Sequence, residues 1–309
     1  MFDRDVVIVG GGPAGLTAGT LLAGTGHRVL LLEKEDFGGY LKKVERFNGH
    51  PDYTDGVSGP EFAEKLIAAA NASGLEMEFG HVTEIESYSS CLSVTCADGR
   101  NYTSSAVIIA GGRQAKKLNV PGEAEFLNKG VIHCVLCDAA LYAGKTVAIC
   151  GGGNTGVSEA LLLARYASRV MIIEQTSSLT ALEKLQETAA SNPKLDCRYT
   201  STIEKISGDK VVESIEMKHL ASGKSENIPV EGVVIAVGYI PDTEYLAVTV
   251  PLDDAARVQV PKDSLQTEIK GIFAIGDIRT NTSLNLIGAV KDGEQAGAAV
   301  SDFLESERS

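Results

Sequence analysis

Hydrophobic residues fall in short runs that end in glycine, and this pattern recurs along the chain. Val6–Val9 is such a run, and Gly10–Gly15 follows it directly. Similar runs occupy Val107–Ala110, Val147–Cys150, Val233–Val237 and Ile272–Ile275. Apolar runs without alternation are typical of parallel strands that are buried on both faces of a sheet. The pattern therefore predicts an α/β protein.

The segment around the first glycine run occurs twice. Each copy has an apolar run, a Gly-x-Gly-x-x-Gly turn, a helical stretch, a second apolar run and a glutamate, which is Glu33 or Glu174. The interval from Gly10 to Gly151 equals that from Glu33 to Glu174, so turn, helix and acid repeat in register. This is the pattern of a dinucleotide-binding βαβ unit.

Each residue type in this unit has a physical role. The first glycine permits a tight turn, the second lets the backbone approach a pyrophosphate, and the third lets helix and strand pack closely. The helix N-terminus offers free N–H groups to the phosphates, and the acid binds the ribose hydroxyls. Two such units suggest a flavin and a nicotinamide cofactor. The alternative is that the second unit has kept its fold and lost its ligand.

The second acid indicates which nicotinamide cofactor fits. A carboxylate at Glu174 suits a free ribose hydroxyl and repels a 2′-phosphate. Gln175, Thr176 and Thr180 follow it, and none of them is basic. Because a 2′-phosphate is usually bound by arginine, the sequence favours NADH over NADPH.

A pair of cysteines precedes the second unit. Cys134 and Cys137 are separated by Val135 and Leu136, and Asp138 follows them. This spacing suits a redox-active dithiol, with Asp138 as a candidate acid or base. A zinc site would need a second CxxC pair or a histidine pair at metal-binding spacing, and the sequence has neither, so no metal is expected. Two ordinary buried thiols remain an alternative.

Composition and charge limit the function classes. The chain has 309 residues, which at about 100–200 residues per domain suggests two domains. Its net charge of −13 argues against binding to nucleic acid or to an anionic membrane. No apolar run approaches the roughly 20 residues of a membrane helix, and Met1–Asp5 does not resemble a signal peptide. We therefore expect a cytoplasmic protein.

Together these motifs resemble the low-molecular-weight thioredoxin reductases over essentially the whole chain. The residues that carry the resemblance are Gly10–Gly15, Glu33, Gly38-Gly39, Val120–Glu123, Gly130-Val131, Cys134–Asp138, Gly151–Gly156, Gly238 with Pro241, and Gly276-Asp277. The resemblance implies two Rossmann-like three-layer domains, the second inserted into the first. The FAD-binding domain would comprise residues 1–114 and 242–309, and the NAD(P)-binding-like domain, with the CxxC motif, residues 115–241. It also implies a homodimer.

The resemblance further implies roles for individual residues. Cys137 would face the flavin, Cys134 would attack a partner disulfide, and Asp138 would be the acid or base. The residues expected at FAD are Gly10, Gly12, Pro13, Ala14, Gly15, Glu33, Lys34, Gly39, Leu41, Val82, Ala110, Gly111, Gly276, Asp277, Asn285 and Leu286. Those expected at the nicotinamide-like site are Gly151, Gly153, Asn154, Thr155, Gly156, Glu174 and Gly238.

The chain departs from the family pattern where the nicotinamide cofactor would bind. The usual His-Arg-Arg at 174–176 and Arg at 180 are absent, and Leu284-Asn285 replaces a basic residue followed by glutamine. Three functions stay open at this stage. The first is a disulfide reductase that takes electrons from NADH or from ferredoxin and passes them to a thioredoxin-like protein. The second is an oxidase of small dithiols that uses oxygen, and the third is a flavin-binding redox sensor.

Overall fold

The computed structural model describes residues 2–44, 56–132, 135, 139–246 and 250–308. The described residues of the first third of the chain form two α-helices and seven strands. These are β1 (Arg4–Val9), α1 (Pro13–Gly24), β2 (Val29–Glu33), α2 (Gly59–Ala72), β3 (Glu76–Phe79), β4 (Val82–Ser87), β5 (Leu92–Cys96), β6 (Asn101–Ile109) and β7 (Arg113–Ala115).

The remaining described strands and α-helices follow in chain order. They are β8 (Val131–Ile132), β9 (Thr146–Cys150), α3 (Asn154–Leu163), β10 (Arg169–Ile173), α4 (Glu183–Ala190), β11 (Leu195–Arg198), β12 (Ser201–Gly208), β13 (Val212–His219), β14 (Ser225–Pro229), β15 (Gly232–Ile235), β16 (Tyr239–Pro241), β17 (Ile272–Ala274) and α5 (Leu286–Arg308).

These elements form two compact units. The first comprises Met1–Gln114 and Ile240–Ser309, and the second comprises Ala115–Tyr239. The second unit is therefore an insertion in the first. The predicted domain limits fall within two residues of these bounds, while the cofactor assigned to each unit stays a prediction.

The first unit is built on a seven-stranded sheet with the order β3-β2-β1-β6-β5-β4, in which β17 also pairs with β6. β1, β2, β3 and β17 run parallel to their neighbours, whereas β4 and β5 are antiparallel. Val6 and Ile8 of β1 pack against α1 and α5, and Val7 and Val9 pack into a separate cluster on the other face. Both faces of the sheet are covered at its centre, which explains the unbroken apolar runs in β1, β2, β17 and the second half of β6.

The second unit has three layers around a parallel sheet with the order β11-β10-β9-β15-β8. Val147 and Ile149 of β9 pack against α3, and Ala148 and Cys150 pack against the antiparallel sheet β12-β13-β14. The predicted α/β class is thus confirmed. The sequence analysis did not predict the three-stranded layer, since its strands carry no glycine-ended apolar run.

The helix after the first glycine run lies very close to the strand before it. A Cβ atom on Gly15 would come 2.0 Å from the Gly10 carbonyl oxygen, whereas a Cβ on Gly24, in the last turn of α1, would meet no atom within 4 Å. Only glycine at 15 therefore allows α1 to pack this closely on β1.

We predict that Gly15→Ala lowers the free energy of unfolding by about 1–3 kcal/mol, because α1 must move away from β1. The matched variant Gly24→Ala, in the same helix, should be neutral or stabilising by up to about 1 kcal/mol. Urea unfolding followed by circular dichroism measures both effects. Equal stabilities of the two variants would contradict the packing argument.

Candidate active site

The first glycine turn joins β1 to α1 and leaves the helix N-terminus open. Gly10 has a φ of 113°, and a Cβ there would lie 2.4 Å from the Ala110 carbonyl oxygen. Around Gly12, by contrast, a Cβ would meet no atom within 4 Å. No described side chain caps α1, and its first turn contains no acidic residue. The free N–H groups and the positive end of the helix dipole can therefore receive an anion.

Glu33, at the end of β2, is fixed beside this turn. Its Oε2 accepts a hydrogen bond of 2.7 Å from the Gly11 N–H, and its Oε1 accepts one of 2.8 Å from the Glu35 N–H. These bonds hold the carboxylate of a largely buried residue in one orientation next to the glycines. Since a carboxylate oxygen accepts more than one hydrogen bond, both oxygens can still receive ribose hydroxyls.

A cavity of about 280 Å³ opens beside Glu33 in the first unit. Five of the predicted FAD residues line it, namely Gly10, Glu33, Lys34, Val82 and Gly111. The sequence analysis missed the other lining residues, which are Val9, Leu32, Gly80, His81, Thr83, Asp242, Glu244 and Tyr245. Asp242 forms an ion pair with Lys34 at this cavity. No sequence signal linked these two residues, because more than two hundred positions separate them.

The second predicted FAD motif, Gly276-Asp277, is held by a buried ion pair. Asp292 of α5 accepts a hydrogen bond of 2.8 Å from the Gly276 N–H and pairs with Arg279 at 2.6 Å. A Cβ on Gly276 would lie 3.2 Å from the Cβ of Ala14, so this turn lies against the start of α1. The Oδ2 of Asp277 accepts a hydrogen bond of 2.9 Å from Arg113 Nε and forms an ion pair with Arg113 Nη2 at 2.7 Å.

The remaining predicted FAD residues fall around the same turn or in the core. Pro13 is the first residue of α1, and Gly39 approaches Gly12 so closely that a Cβ on it would lie 3.3 Å from the Gly12 Cα. Leu41 and Leu286 share a hydrophobic cluster with Phe62. Asn285 precedes α5, and its side-chain oxygen accepts a hydrogen bond from the Gly288 N–H.

The second glycine turn repeats the geometry of the first. Gly151 has a φ of 108°, and a Cβ there would lie 2.3 Å from the Ala236 carbonyl oxygen. A Cβ on Gly156 would come 2.0 Å from the Gly151 carbonyl oxygen, the same distance as between a Cβ on Gly15 and the Gly10 carbonyl oxygen. Gly153, like Gly12, lies open, with only the Thr180 hydroxyl at 3.8 Å from its added Cβ. This turn can therefore receive an anion in the same way.

Glu174 has the same position in the second unit as Glu33 has in the first. Its Oε2 accepts a hydrogen bond of 2.6 Å from the Gly152 N–H. Its Oε1 accepts bonds from the N–H and the hydroxyl of Thr176, at 2.9 and 3.0 Å. The two carboxylates are thus oriented by equivalent backbone contacts.

The other residues predicted for the second site lie near α3 or at the end of β15. The Asn154 side-chain oxygen accepts a hydrogen bond of 2.7 Å from the Leu182 N–H, and Thr155 lies in the first turn of α3. Gly238 has a φ of 99° and its carbonyl accepts a hydrogen bond from the Lys116 N–H. Further along α3, burial raises the pKa of Glu159 to about 7, a feature with no signal in the sequence.

The predicted catalytic residues Cys134, Cys137 and Asp138 lie outside the described residues. Val135 is described, and its fully buried side chain packs in the cluster that contains Ala139 and Val147. The motif thus follows the carboxyl end of β8, a strand of the sheet that also carries the second glycine turn. Within the described part of the chain, no group of three or more metal-binding side chains comes together.

Four other cysteines are described, and all are free thiols: Cys91, Cys96, Cys150 and Cys197. Burial raises the thiol pKa of Cys96, Cys150 and Cys197. Because the thiolate is the reactive form, these three side chains are poor nucleophiles at neutral pH.

Comparison with known proteins identifies the family. The model of the pyridine nucleotide-disulphide oxidoreductases matches residues 4–299. The chain belongs to this family. It is 32% identical over 304 residues to the thioredoxin reductase of Treponema pallidum, an alignment that covers 98% of both chains. Membership makes it an FAD-dependent disulfide oxidoreductase, and the open glycine turn, the oriented Glu33 and the adjoining cavity fit a dinucleotide of this kind.

Solved structures agree with this assignment. The thioredoxin reductase of Lactococcus lactis has a TM-score of 0.88 at 32% identity and covers 98% of this chain and all of its own. The T. acidophilum thioredoxin reductase has a TM-score of 0.83 at 28% identity, with full coverage of both chains. The expected pair of Rossmann-like nucleotide-binding domains is thus confirmed. In the described part of this chain, no helix is long and apolar enough to cross a membrane.

We predict that Asp292→Ala lowers the free energy of unfolding by about 3–5 kcal/mol, because Arg279 is then left buried without its counter-charge. Denaturant unfolding provides the measurement. Asp302→Ala is the matched control, since Asp302 is an exposed aspartate of the same helix. It should change the stability by no more than about 0.5 kcal/mol. If the two variants unfold alike, the ion pair does not hold the Gly276-Asp277 turn.

Proposed function

We propose that this flavoenzyme is a thioredoxin reductase-like disulfide reductase that uses NADH as its electron donor. In this proposal the first unit holds FAD and the second holds NADH. The Cys134–Cys137 dithiol passes electrons to the disulfide of a thioredoxin-like protein. The relatives that this chain resembles over its full length are thioredoxin reductases, which supports the class of partner. We also expect a homodimer.

The observation that carries the choice of donor is the hydrogen bonding of Glu174. Its carboxylate is held by Gly152 and Thr176 as the Glu33 carboxylate is held by Gly11 and Glu35. This equivalence supports a second site that can still bind a dinucleotide. It also favours a free ribose hydroxyl, because a fixed carboxylate would repel a 2′-phosphate at the same place.

The side chains that directly follow Glu174 are uncharged, and the arginine at the end of the neighbouring strand is already paired. The Gln175 amide donates to the Thr202 hydroxyl, and neither Gln175 nor Thr176 carries a charge. Arg198 ends the neighbouring strand β11, but its guanidinium pairs with Asp196 at 3.1 Å. A phosphate would need an arginine able to offer two parallel hydrogen bonds. These contacts therefore support NADH over NADPH.

FAD, when bound, supplies two-electron transfer between a nicotinamide and a disulfide. The chain's own residues would bind the flavin and supply the dithiol. Gly10–Gly15 and Glu33 would bind the ADP half of FAD, and Asp277 its ribitol. Between Cys134 and Cys137 in the sequence, the fully buried Val135 packs in the core of the second unit. Cys134 would attack the partner disulfide and Asp138 would exchange the proton with the thiols.

We predict that Glu174→Arg combined with Gln175→Arg shifts the ratio of kcat/KM for NADH over NADPH toward NADPH by about tenfold or more, because a charge-assisted hydrogen bond contributes about 1.5–3 kcal/mol. The control is Glu226→Arg with Asn227→Arg, which makes the same charge change on exposed residues of β14 in the same unit. An unchanged ratio in the first variant would mean that Glu174 does not contact the ribose.

We predict that Cys137→Ser retains FAD but can no longer exchange electrons with a dithiol. The test is independent of the natural donor: excess reduced dithiothreitol is added without oxygen, and the flavin absorbance is followed. The wild-type flavin should bleach, and so should that of Cys91→Ser, a free cysteine in the first unit. Bleaching of the Cys137→Ser flavin at the wild-type rate would exclude the assigned dithiol.

A further inference from the structure

Tyr245 places an unsatisfied hydroxyl at the cavity of the first unit. The residue lies in a short 3-10 helix, Glu244–Leu246, and is one of the cavity-lining residues. Its side chain is half-buried, and its hydroxyl oxygen is buried without a hydrogen-bond partner among the described residues. Buried hydroxyl groups are nearly always paired in folded proteins, so this one calls for an explanation.

Gly111, another residue that lines the cavity, lies directly beside this hydroxyl. A Cβ on Gly111 would lie 3.0 Å from the Tyr245 hydroxyl oxygen and 3.3 Å from Cδ1 of Ile278. Gly111 does not have a positive φ, so its backbone does not require glycine. A side chain at 111 would therefore be unfavourable because it would crowd the Tyr245 hydroxyl and Ile278.

Burial and, to a lesser degree, neighbouring carboxylates raise the pKa of Tyr245 and keep its hydroxyl protonated. Burial is the main cause that raises the pKa of Tyr245, and the carboxylates of Asp242 and Glu33 raise it further. Asp242 is itself paired with Lys34, and Glu33 with the N–H groups of Gly11 and Glu35. Tyr245 is thus a hydrogen-bond donor that needs an acceptor, and no described protein group accepts from it.

We propose that Tyr245 is a positioning residue for FAD, whose hydroxyl donates a hydrogen bond to an oxygen of the ADP half, and that Gly111 is small in order to leave room for it. The proposal rests on the assignment of FAD to the first unit. The ADP half offers acceptor oxygens in its ribose and pyrophosphate, next to Gly10 and Glu33 at the same cavity. A phenylalanine at 245 would fill the same volume without the unpaired hydroxyl, which points to a role in binding.

The test is the affinity for FAD of Tyr245→Phe. Holoenzyme is diluted in steps, and released FAD is followed by its fluorescence to give a Kd. We expect a Kd about 3–10-fold higher than in the wild type, because one hydrogen bond to FAD is lost. Tyr88→Phe is the matched control, since its hydroxyl binds Glu86 at the surface away from the cavity, and its Kd should not change. An unchanged Kd in Tyr245→Phe would overturn the proposal.

A thermal measurement separates binding from a structural role. Without FAD, Tyr245→Phe should melt at the wild-type temperature or above it, because the variant removes an unpaired buried hydroxyl. With saturating FAD, its gain in melting temperature should be smaller than that of the wild type. A lower melting temperature without FAD, combined with an unchanged gain on binding, would assign the hydroxyl to folding and contradict the proposal.

The pairing of Tyr245 with Gly111 has its own test. Gly111→Ala should raise the Kd for FAD, because its methyl group crowds the hydroxyl. In the Tyr245→Phe background the same substitution should cost less, since the crowded atom is gone while the contact with Ile278 remains. Additive effects of the two substitutions would show that Gly111 does not make room for the hydroxyl. Purified protein that carries no FAD in any variant would instead contradict the assignment of the cofactor itself.

Discussion

The close approach of two backbone segments at each glycine turn is the constraint on which the rest of this molecule depends. The carbonyl of Gly10 lies where a side chain on Gly15 would be, and Gly151 and Gly156 repeat this contact. Such packing is possible only without Cβ atoms, and it brings a helix N-terminus directly to the carboxyl edge of a parallel sheet. The sites in both units are built at this edge.

A carboxylate completes the arrangement in each unit. Glu33 ends β2, Glu174 directly follows β10, and they accept hydrogen bonds from the N–H of Gly11 and Gly152 respectively. This hydrogen bond joins the carboxylate to the glycine turn. The carboxylate that would bind a ribose and the N–H groups that would bind a pyrophosphate are therefore held in one fixed arrangement. Specificity for the 2′ position then depends on which side chains follow the acid. After Glu174 the loop is uncharged, and this difference separates the chain from the pattern of the reductases that it otherwise resembles.

The parts of the site that are local in sequence could be predicted, and the parts assembled from distant segments could not. Strand, glycines, helix and acid lie within a single βαβ segment, so spacing alone predicted both turns and both glutamates. Asp242 and Tyr245 line the cavity, but in the chain they follow the inserted second unit. No periodicity therefore links them to Glu33. The same holds for the pair Arg279–Asp292, whose burial is a consequence of how α5 packs.

We propose that the second unit binds NADH and that its electrons reach the flavin. The decisive experiment is an anaerobic titration of the purified flavoprotein with NADH and with NADPH, followed by the visible absorbance of the oxidised flavin. We expect NADH to bleach the flavin at a much lower concentration than NADPH does. Preference for NADPH would contradict the role of Glu174. Bleaching by dithionite or reduced ferredoxin, but by neither nucleotide, would contradict nucleotide binding in the second unit altogether.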